Sequence, residues 1–440
     1  MMAPQKEHLE GDYSASSTSS PEYPKKTSDI SILDAPNWDD NALEADDVGK
    51  SLFRRMFYWG PLFSLTIIVF IGISTIIVSS EIWPPFDTIG GFLSLTFHFW
   101  THYMTITNLI KAAYLGPGYI KLKWVPKNPE HKQRLQFCLV CEGYKAPRSH
   151  HCSQCNRCVM KMEHHCPWIN NCVGHRNHAT FVRFMFYALL GCLQSMTLTA
   201  PILGRTLMAI FYPNPRHSFP VKNLSTLLGA LTGSCLALGV IIAVGALFFF
   251  QVFRVIRTNK TAVEDYICLK AESRERDEPF VYPYDLGWKR NVKEVLFNGT
   301  FPKGNGIWWP VRADCHQFTF SEEQIEQKKL KHQCARIKTI IKEYDGSKAI
   351  GACRISVSTF FCQPYTDGRR LAVKPGEQYA ITRGMRHWVY GRLVEKRPYI
   401  DDAGKAQYEF VPSDHFRRGW FPRKCVESFK KTVENVPKDE

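Results

Sequence analysis

The chain has 440 residues, 45% hydrophobic and 22% charged, with a formal net charge of +15. This composition excludes collagen, a coiled coil and a wholly disordered chain, and 15 cysteines are too dilute for a disulfide scaffold. The slightly negative mean hydropathy looks like a soluble basic protein, but it averages segments of opposite character.

Residues 1–50 carry 4 Lys/Arg against 11 Asp/Glu and are rich in Ser. They lack the apolar residues needed to offset the entropy of ordering, which predicts a disordered acidic tail. No apolar h-region follows Met1, so no signal peptide is expected. Within 51–110 come two uncharged runs, Met56 to Ser80 and Thr88 to Ile110, 25 and 23 residues long. A helix needs about 20 apolar residues to cross the hydrocarbon core, so each run predicts a membrane span. Trp59, Trp100 and Tyr103 lie near run ends, as in an aromatic belt. His98 and His102 fall inside the second run. They are expected near an interface or hydrogen-bonded within the bundle, with a functional role as the alternative.

Residues 111–183 form a polar connection with twelve Lys/Arg. Two more uncharged runs fill 184–253: Phe184 to Gly204, 21 residues, and Leu224 to Phe253, 30 residues. The connection from Glu81 to Asp87 has no Lys or Arg, and that from Arg205 to Asn223 has three. The positive-inside rule then predicts four transmembrane helices with both termini and the middle connection in the cytosol. Thiols there stay reduced, so clustered cysteines point to metal binding or catalysis.

Seven cysteines fall within the 35 residues from Cys138 to Cys172. The pattern is Cys138-x2-Cys141, His151-Cys152-x2-Cys155-x2-Cys158, Glu163-His164-His165-Cys166 and Cys172. Zinc takes thiolate and imidazole in a tetrahedron, and a Cys-x2-Cys turn gives two ligands to one ion. Two such turns suggest two zincs. Six Cys and two His would make two Cys3His sites and leave one Cys over. Neighbouring side chains diverge, so His151 and Cys152 serve different ions and the sites interleave. In an extended stretch residues two apart share a face, which sets His164 beside Cys166. Two readings stand here. Cys166 is a thiolate nucleophile with its base and a preceding carboxylate, or all three residues ligate or support zinc.

In 254–330, Tyr284 to Phe297 and a helix-compatible stretch from Gln317 to Leu330 form a segment and linker. In 331–430 the pattern turns to short β-type runs: Ala335 to Ile341, Leu371 to Ile381, His387 to Gly391 and Gly419 to Val426. Such spacing predicts a small barrel. The pieces resemble an SH3 domain, whose grooves bind polyproline partners through aromatic residues. Tyr344, Trp388, Tyr390 and Pro422 are the candidate groove residues, and a docking module without a groove is the alternative. Cys353 and Cys362 on this module are expected to be inert core thiols, with acylation as the alternative.

The run Cys138 to Phe181 carries Lys145-Ala146-Pro147-Arg148, then Cys166-Pro167-Trp168-Ile169-Asn170-Asn171-Cys172-Val173-Gly174, then Asn177. It resembles the zinc-finger DHHC protein S-acyltransferases, and so does the placing of this loop between helices two and three. The resemblance implies one zinc on Cys138, Cys141, His151 and Cys158 and a second on Cys152, Cys155, His165 and Cys172. It also implies Cys166 as acyl-accepting nucleophile, His164 as general base and Glu163 as orienting acid. The donor would be palmitoyl-CoA, its phosphates near the loop's basic residues, and the acceptors cysteine-containing proteins at the membrane. The segment around Asn291 resembles the family's C-terminal stretch, which packs back on the catalytic region. The SH3-like end resembles an animal branch of the family resident in the endoplasmic reticulum, and no terminal retrieval signal adds to that.

Three positions depart from the pattern: Glu163 for Asp, Gly116 for the Asp of Asp-Pro-Gly, and Ala262 for the second Thr of Thr-Thr-x-Glu. Glu163 and Ala262 bear on the same acid. A membrane-anchored zinc and SH3 adaptor with weakened catalysis is the rival expectation. Nucleic-acid binding is not expected, because the zinc loop is tethered between two membrane runs.

Overall fold

The computed structural model describes residues 31–35, 52–212, 223–274, 276–296, 304–348, 350–365, 368–400, 406–412 and 417–427. The described residues divide into one unit up to Ile325 and another from Glu326 onward.

In the first unit, strand β1 (Ile32–Leu33) precedes a short helix α1 (Leu52–Met56). The long helices are α2 (Trp59–Ile82), α3 (Ile89–Tyr114), α4 (His178–Phe211) and α5 (Leu224–Phe250). The last of these runs on as a π-helix, Gln251–Ile256. Helix α4 packs against α3 and α5, and α2 against α5. Among the described residues, three helices are long and apolar enough to cross a membrane, where four were expected: Trp59–Glu81, His178–Phe211 and Leu224–Ile256. The protein is thus a helical, multi-pass membrane protein. Outward side chains such as Leu228, Leu231, Ile242 and Phe249 are exposed apolar groups that lipid would cover.

Polar residues turn inward and find partners. The Thr75 and Ser195 hydroxyls lie 2.7 Å apart, and Ser234 donates to Thr199 at 2.6 Å. His98 is buried against the Gly72 carbonyl at 3.3 Å, and His102 Nδ1 lies 3.0 Å from the His98 carbonyl. The pair therefore bonds within the bundle. Helix α4 begins ahead of the expected Phe184 and ends after Gly204, because Arg183 and Arg205 bound the apolar run without breaking the helix.

The polar connection between α3 and α4 is built from three β-hairpins. They pair β2 (Phe137–Cys138) with β3 (Gly143–Tyr144), β4 (His150–Cys152) with β5 (Arg157–Val159), and β6 (His164–Cys166) with β7 (Asn171–Val173). After the bundle come α6 (Ala262–Glu272), α7 (Trp288–Leu296), β8 (Val311–Arg312) and α8 (Thr319–Gln333). The expected linker helix is α8. Its Glu323 pairs with Arg276 at 2.6 Å, and its Glu322 pairs with Arg134.

Part of the expected disordered tail is paired. Strand β1 bonds antiparallel to β8, and the Ala313 N–H donates to the Ser31 carbonyl at 2.8 Å. Ile32 and Leu33 are adjacent apolar residues in an acidic stretch, and the open edge of β8 accepts them. The rest of residues 1–50 lies outside the described residues.

The second unit holds a five-stranded antiparallel sheet: β9 (Arg336–Thr339), β10 (Gln378–Gly384), β11 (Trp388–Ile400), β12 (Ala406–Pro412) and β13 (Arg418–Pro422). Strand β11 is central, flanked by β10 and by β12 and β13 along different parts of its length. The expected strand from Leu371 starts only at Gln378, because Gly376 adopts φ +87° in a turn closed by Lys374 N–H on Glu377 at 2.9 Å. Helices α9 (Ile350–Ile355) and α10 (Val357–Phe361) lie between β9 and β10 in sequence.

This corrects two expectations. Tyr344, Trp388 and Pro422 are buried and Tyr390 is half-buried, so together they present no open aromatic groove. Trp388 is fully covered and donates its indole N–H to the Thr359 carbonyl of α10 at 3.1 Å. The sheet core needs that ring, and α10 closes over it. Cys353 and Cys362 are exposed, not core thiols, because α9 and α10 turn them outward.

Candidate active site

The hairpins share one local plan. In each, a non-glycine residue takes a positive φ at the turn: Glu142 at 51°, Asn156 at 55° and Asn170 at 47°. Asn tolerates this region better than most side chains. The strands then run antiparallel, so His151 stands opposite Cys158 and His165 opposite Cys172. Directly opposed side chains on a pair of strands are near neighbours, and this register brings an imidazole and a thiol onto one point.

Two quartets result. One is Cys138, Cys141, His151 and Cys158; the other is Cys152, Cys155, His165 and Cys172, with donor atoms all within 4.8 Å of one another. In the first, His151 Nδ1 lies 3.5, 3.4 and 3.9 Å from the three sulfurs. In the second, His165 Nδ1 lies 3.7, 3.4 and 3.6 Å from them. Bonds of about 2.3 Å to sulfur and 2.0 Å to nitrogen in a tetrahedron give edges of about this length. The residues therefore fit two zinc ions, and the four protein donors of each quartet fill the tetrahedron.

The hairpins also repeat at a spacing the motif reading missed. Cys138, Cys152 and Cys166 are each 14 residues apart, as are Cys141, Cys155 and Ile169. In the third hairpin a fully buried Ile169 stands where a ligand cysteine stands in the other two. Cys166 is thus a knuckle cysteine without its usual ligand partner, and it lies outside both quartets.

Asparagines dock this loop on the bundle. A helix leaves its last carbonyls unbonded, and two of those of α3 are met from the loop and from α1. Asn177 donates to Ala112 O at 3.0 Å, while Asn171 and Arg55 donate to Ala113 O at 3.0 and 2.9 Å. Tyr119 O–H in turn fixes Asn171 at 2.8 Å. Cys166 and Ile169 consequently pack in one apolar cluster with Leu109, Phe181, Ile256 and Val295.

Beside Cys166, which is 2% exposed, lies the His164 imidazole. Burial works against a charged imidazole, but the Cys166 and Glu163 partners outweigh it and raise the His164 pKa to about 9. Glu163 Oε1 is 3.8 Å from His164 Nδ1, an ion-pair distance longer than a hydrogen bond. Burial favours the neutral form of Glu163, yet His164, His178 and the Ala262 N–H hold its pKa below the usual value. Ala262 is the first residue of α6 and donates to Glu163 Oε2 at 2.8 Å. A carboxylate at a helix N-terminus is also favoured by the helix dipole. Gln251, which the motif reading missed, donates to Glu163 Oε1 at 3.0 Å. Its only signal in the sequence was an amide near the end of an apolar run.

A second buried assembly braces α6. Arg148 grips both oxygens of Glu264 at 2.7 and 2.8 Å and the Asn259 carbonyl at 2.6 Å. The Tyr284 and Trp309 rings lie 4.6 and 4.8 Å from its guanidinium carbon. Glu264 also closes a capping box with Thr261. Asn291 of α7 donates to the Arg257 carbonyl at 2.8 Å, tying that helix to the end of the π-helix.

The matched relatives agree with this geometry. The family model described as DHHC palmitoyltransferase matches residues 131–268. Palmitoyltransferase ZDHHC6 of Homo sapiens is 38% identical over 398 residues, spanning 85% of this chain and 92% of the relative. The chain belongs to the DHHC palmitoyltransferase family. Palmitoyltransferase ZDHHC6 of Danio rerio is 40% identical over 412 residues, spanning 88% of this chain and 95% of its own. A probable protein S-acyltransferase 16 of Arabidopsis thaliana is 28% identical over 205 residues, 44% of this chain and 68% of its own. The protein is therefore a DHHC palmitoyltransferase, and the adaptor expectation gives way to that of an enzyme. Its two Cys3His quartets are consistent with two zinc ions, and the family uses acyl-CoA.

Proposed function

We propose that Cys166 carries the acyl group, with His164 as its base and Glu163 as the acid that orients the imidazole. The observation that carries this reading is that Cys166 is the one cysteine of the loop outside both quartets and lies against His164. His164 takes the thiol proton as the Cys166 sulfur attacks the thioester carbonyl of palmitoyl-CoA. The CoA sulfur leaves with the proton from the imidazolium. A substrate cysteine then gives its proton to His164, attacks the acyl-enzyme carbonyl and returns Cys166 to the thiol. Cys138, Cys141, His151 and Cys158, and Cys152, Cys155, His165 and Cys172, would each hold one zinc ion, which would brace the hairpin that bears Cys166.

The acyl tail would lie among the helices. A cleft there is lined by Ile67, Ile71, His102, Ala188, Gly191 and Cys192. We assign the bundle to residues 51–110 and 184–253, with α3 as a fourth span, and the zinc loop to 111–183. Its Lys/Arg would face the cytosol and meet lipid headgroups or CoA phosphates. The C-terminal residues 331–430 are assigned to an SH3-like docking module, and residence in the endoplasmic reticulum follows the likeness to the animal branch. The acceptors are cysteines of proteins at that membrane face.

Incubation with a clickable palmitoyl-CoA tests the assignment. Cys166→Ser should remove hydroxylamine-sensitive self-labelling while two zinc ions per chain remain. Undiminished labelling would sink it.

A further inference from the structure

Glu163 is buried at 2% exposure and carries one more methylene than the family's Asp. Something must hold the longer arm. The side chain at position 262 is a methyl group, so α6 offers Glu163 only the Ala262 backbone N–H. The second oxygen, Oε1, faces both His164 at 3.8 Å and the Gln251 amide at 3.0 Å.

Gln251 is 4% exposed and opens the π-helix that ends the bundle. A π turn adds a residue to the helix and re-aims its side chains, and such turns gather at functional sites. The amide orientation is fixed by its partners. The Gln251 NH2 donates to Glu163 Oε1. Its oxygen then faces His178 Nε2 at 2.9 Å, which must carry a proton on that nitrogen. His178 is itself buried at the start of α4. A chain of hydrogen bonds thus runs from α4 through the π-helix to Glu163, whose Oε1 faces His164.

We propose that Gln251, held by His178, is a positioning residue for acyl transfer in this protein: it fixes Glu163 Oε1 against His164, a task that Ala262 cannot share through its side chain. The proposal rests on the assignment of Cys166, His164 and Glu163 made above. It accounts for how a Glu and an Ala coexist at a site where the family pattern has Asp and Thr. The three residues 163, 251 and 262 form one coupled set.

The test is a set of self-acylation rates on the full-length protein in nanodiscs with palmitoyl-CoA. Gln251→Leu keeps the shape and removes both hydrogen bonds. The maximal rate should fall by roughly 100-fold, the effect of about 1 Å of misplacement. KM for palmitoyl-CoA and the two zinc ions should be unchanged. In an E163D/A262T background, with the shorter acid and a hydroxyl beside it, the same change should cost about tenfold less. Q251M repeats the comparison with another shape, so a folding defect of the leucine variant cannot hide the answer. A wild-type rate in Q251L and Q251M, or an equal loss in both backgrounds, would overturn the proposal. Labelling that survives Cys166→Ser in the same assay would instead overturn the nucleophile assignment.

Discussion

Arg148 is a fully buried cation near the site, and its environment makes the clearest energetic statement. Breaking a buried pair leaves a charge without a partner, which costs about 3–5 kcal/mol. Glu264→Gln should therefore lower the unfolding temperature sharply at pH 7. Burial alone would raise the Glu264 pKa, but Arg148 overrides it and holds it at about 2, against an ordinary 4.5. A depressed carboxyl pKa stabilises the fold above the ordinary value, and that contribution is lost as pH falls through the depressed one. The gap between wild type and E264Q, read by thermal unfolding, should close between pH 4.5 and 2. A gap that stayed constant over that range would contradict the pairing. Two metal sites were legible because Cys-x2-Cys turns fix two ligands by covalent spacing alone, whereas the division of the donors between them came from the family resemblance. Gln251 was not legible, since its partner Glu163 lies 88 residues away and only the packed fold brings them together.

At the level of elements, the hairpin that bears Cys166 is positioned by the helix ends around it. Gly60, in the first turn of α2, lies so near this hairpin that an added methyl group would overlap the Pro167 carbonyl. Trp59 and Trp168 meet edge to face at 5.5 Å in the same contact. Gly60→Ala should push the hairpin from α2 and slow self-acylation about tenfold or more, since small misplacements are costly. Zinc content should hold at two per chain, and an unchanged rate would show that the hairpin does not depend on this contact. Element identities were readable from the sequence, because long apolar runs and short alternating runs have different periods. Their limits were less so. Arg183 lies inside α4 and bonds to the Leu296 carbonyl at 3.0 Å, a partner that no local pattern reveals. The pairing of Ile32–Leu33 with β8 is equally non-local.

On the scale of the molecule, two units carry separate cores. Trp388 packs with Tyr344, Val373, Tyr379 and Phe421 in the second, while Cys166 belongs to a cluster in the first. Truncating a buried Trp to Ala typically costs about 3–5 kcal/mol. Trp388→Ala should make residues 336–427 sensitive to limited proteolysis while Cys166 self-acylation continues. Loss of both together would mean that the cores fold as one. The strands of the C-terminal sheet were visible in the short β-type runs and their turn residues. The burial of Trp388 was not, because it depends on α10, whose sequence gives no sign of which surface it covers.

The 14-residue spacing has a consequence for which cysteine of the loop stays outside the metal quartets. Each quartet draws two donors from one hairpin and two from the next, so the array needs a following unit to complete every site. After the third hairpin the chain enters α4 at His178 instead. The last unit finishes its predecessor's site and begins none of its own. Cys166 is left over by the counting rule of the array, with Ile169 filling the seat beside it. Where the repeat stops thereby decides which sulfur of the loop stays outside the two metal quartets, and the proposed acyl transfer through Cys166 draws on that vacancy in the pattern.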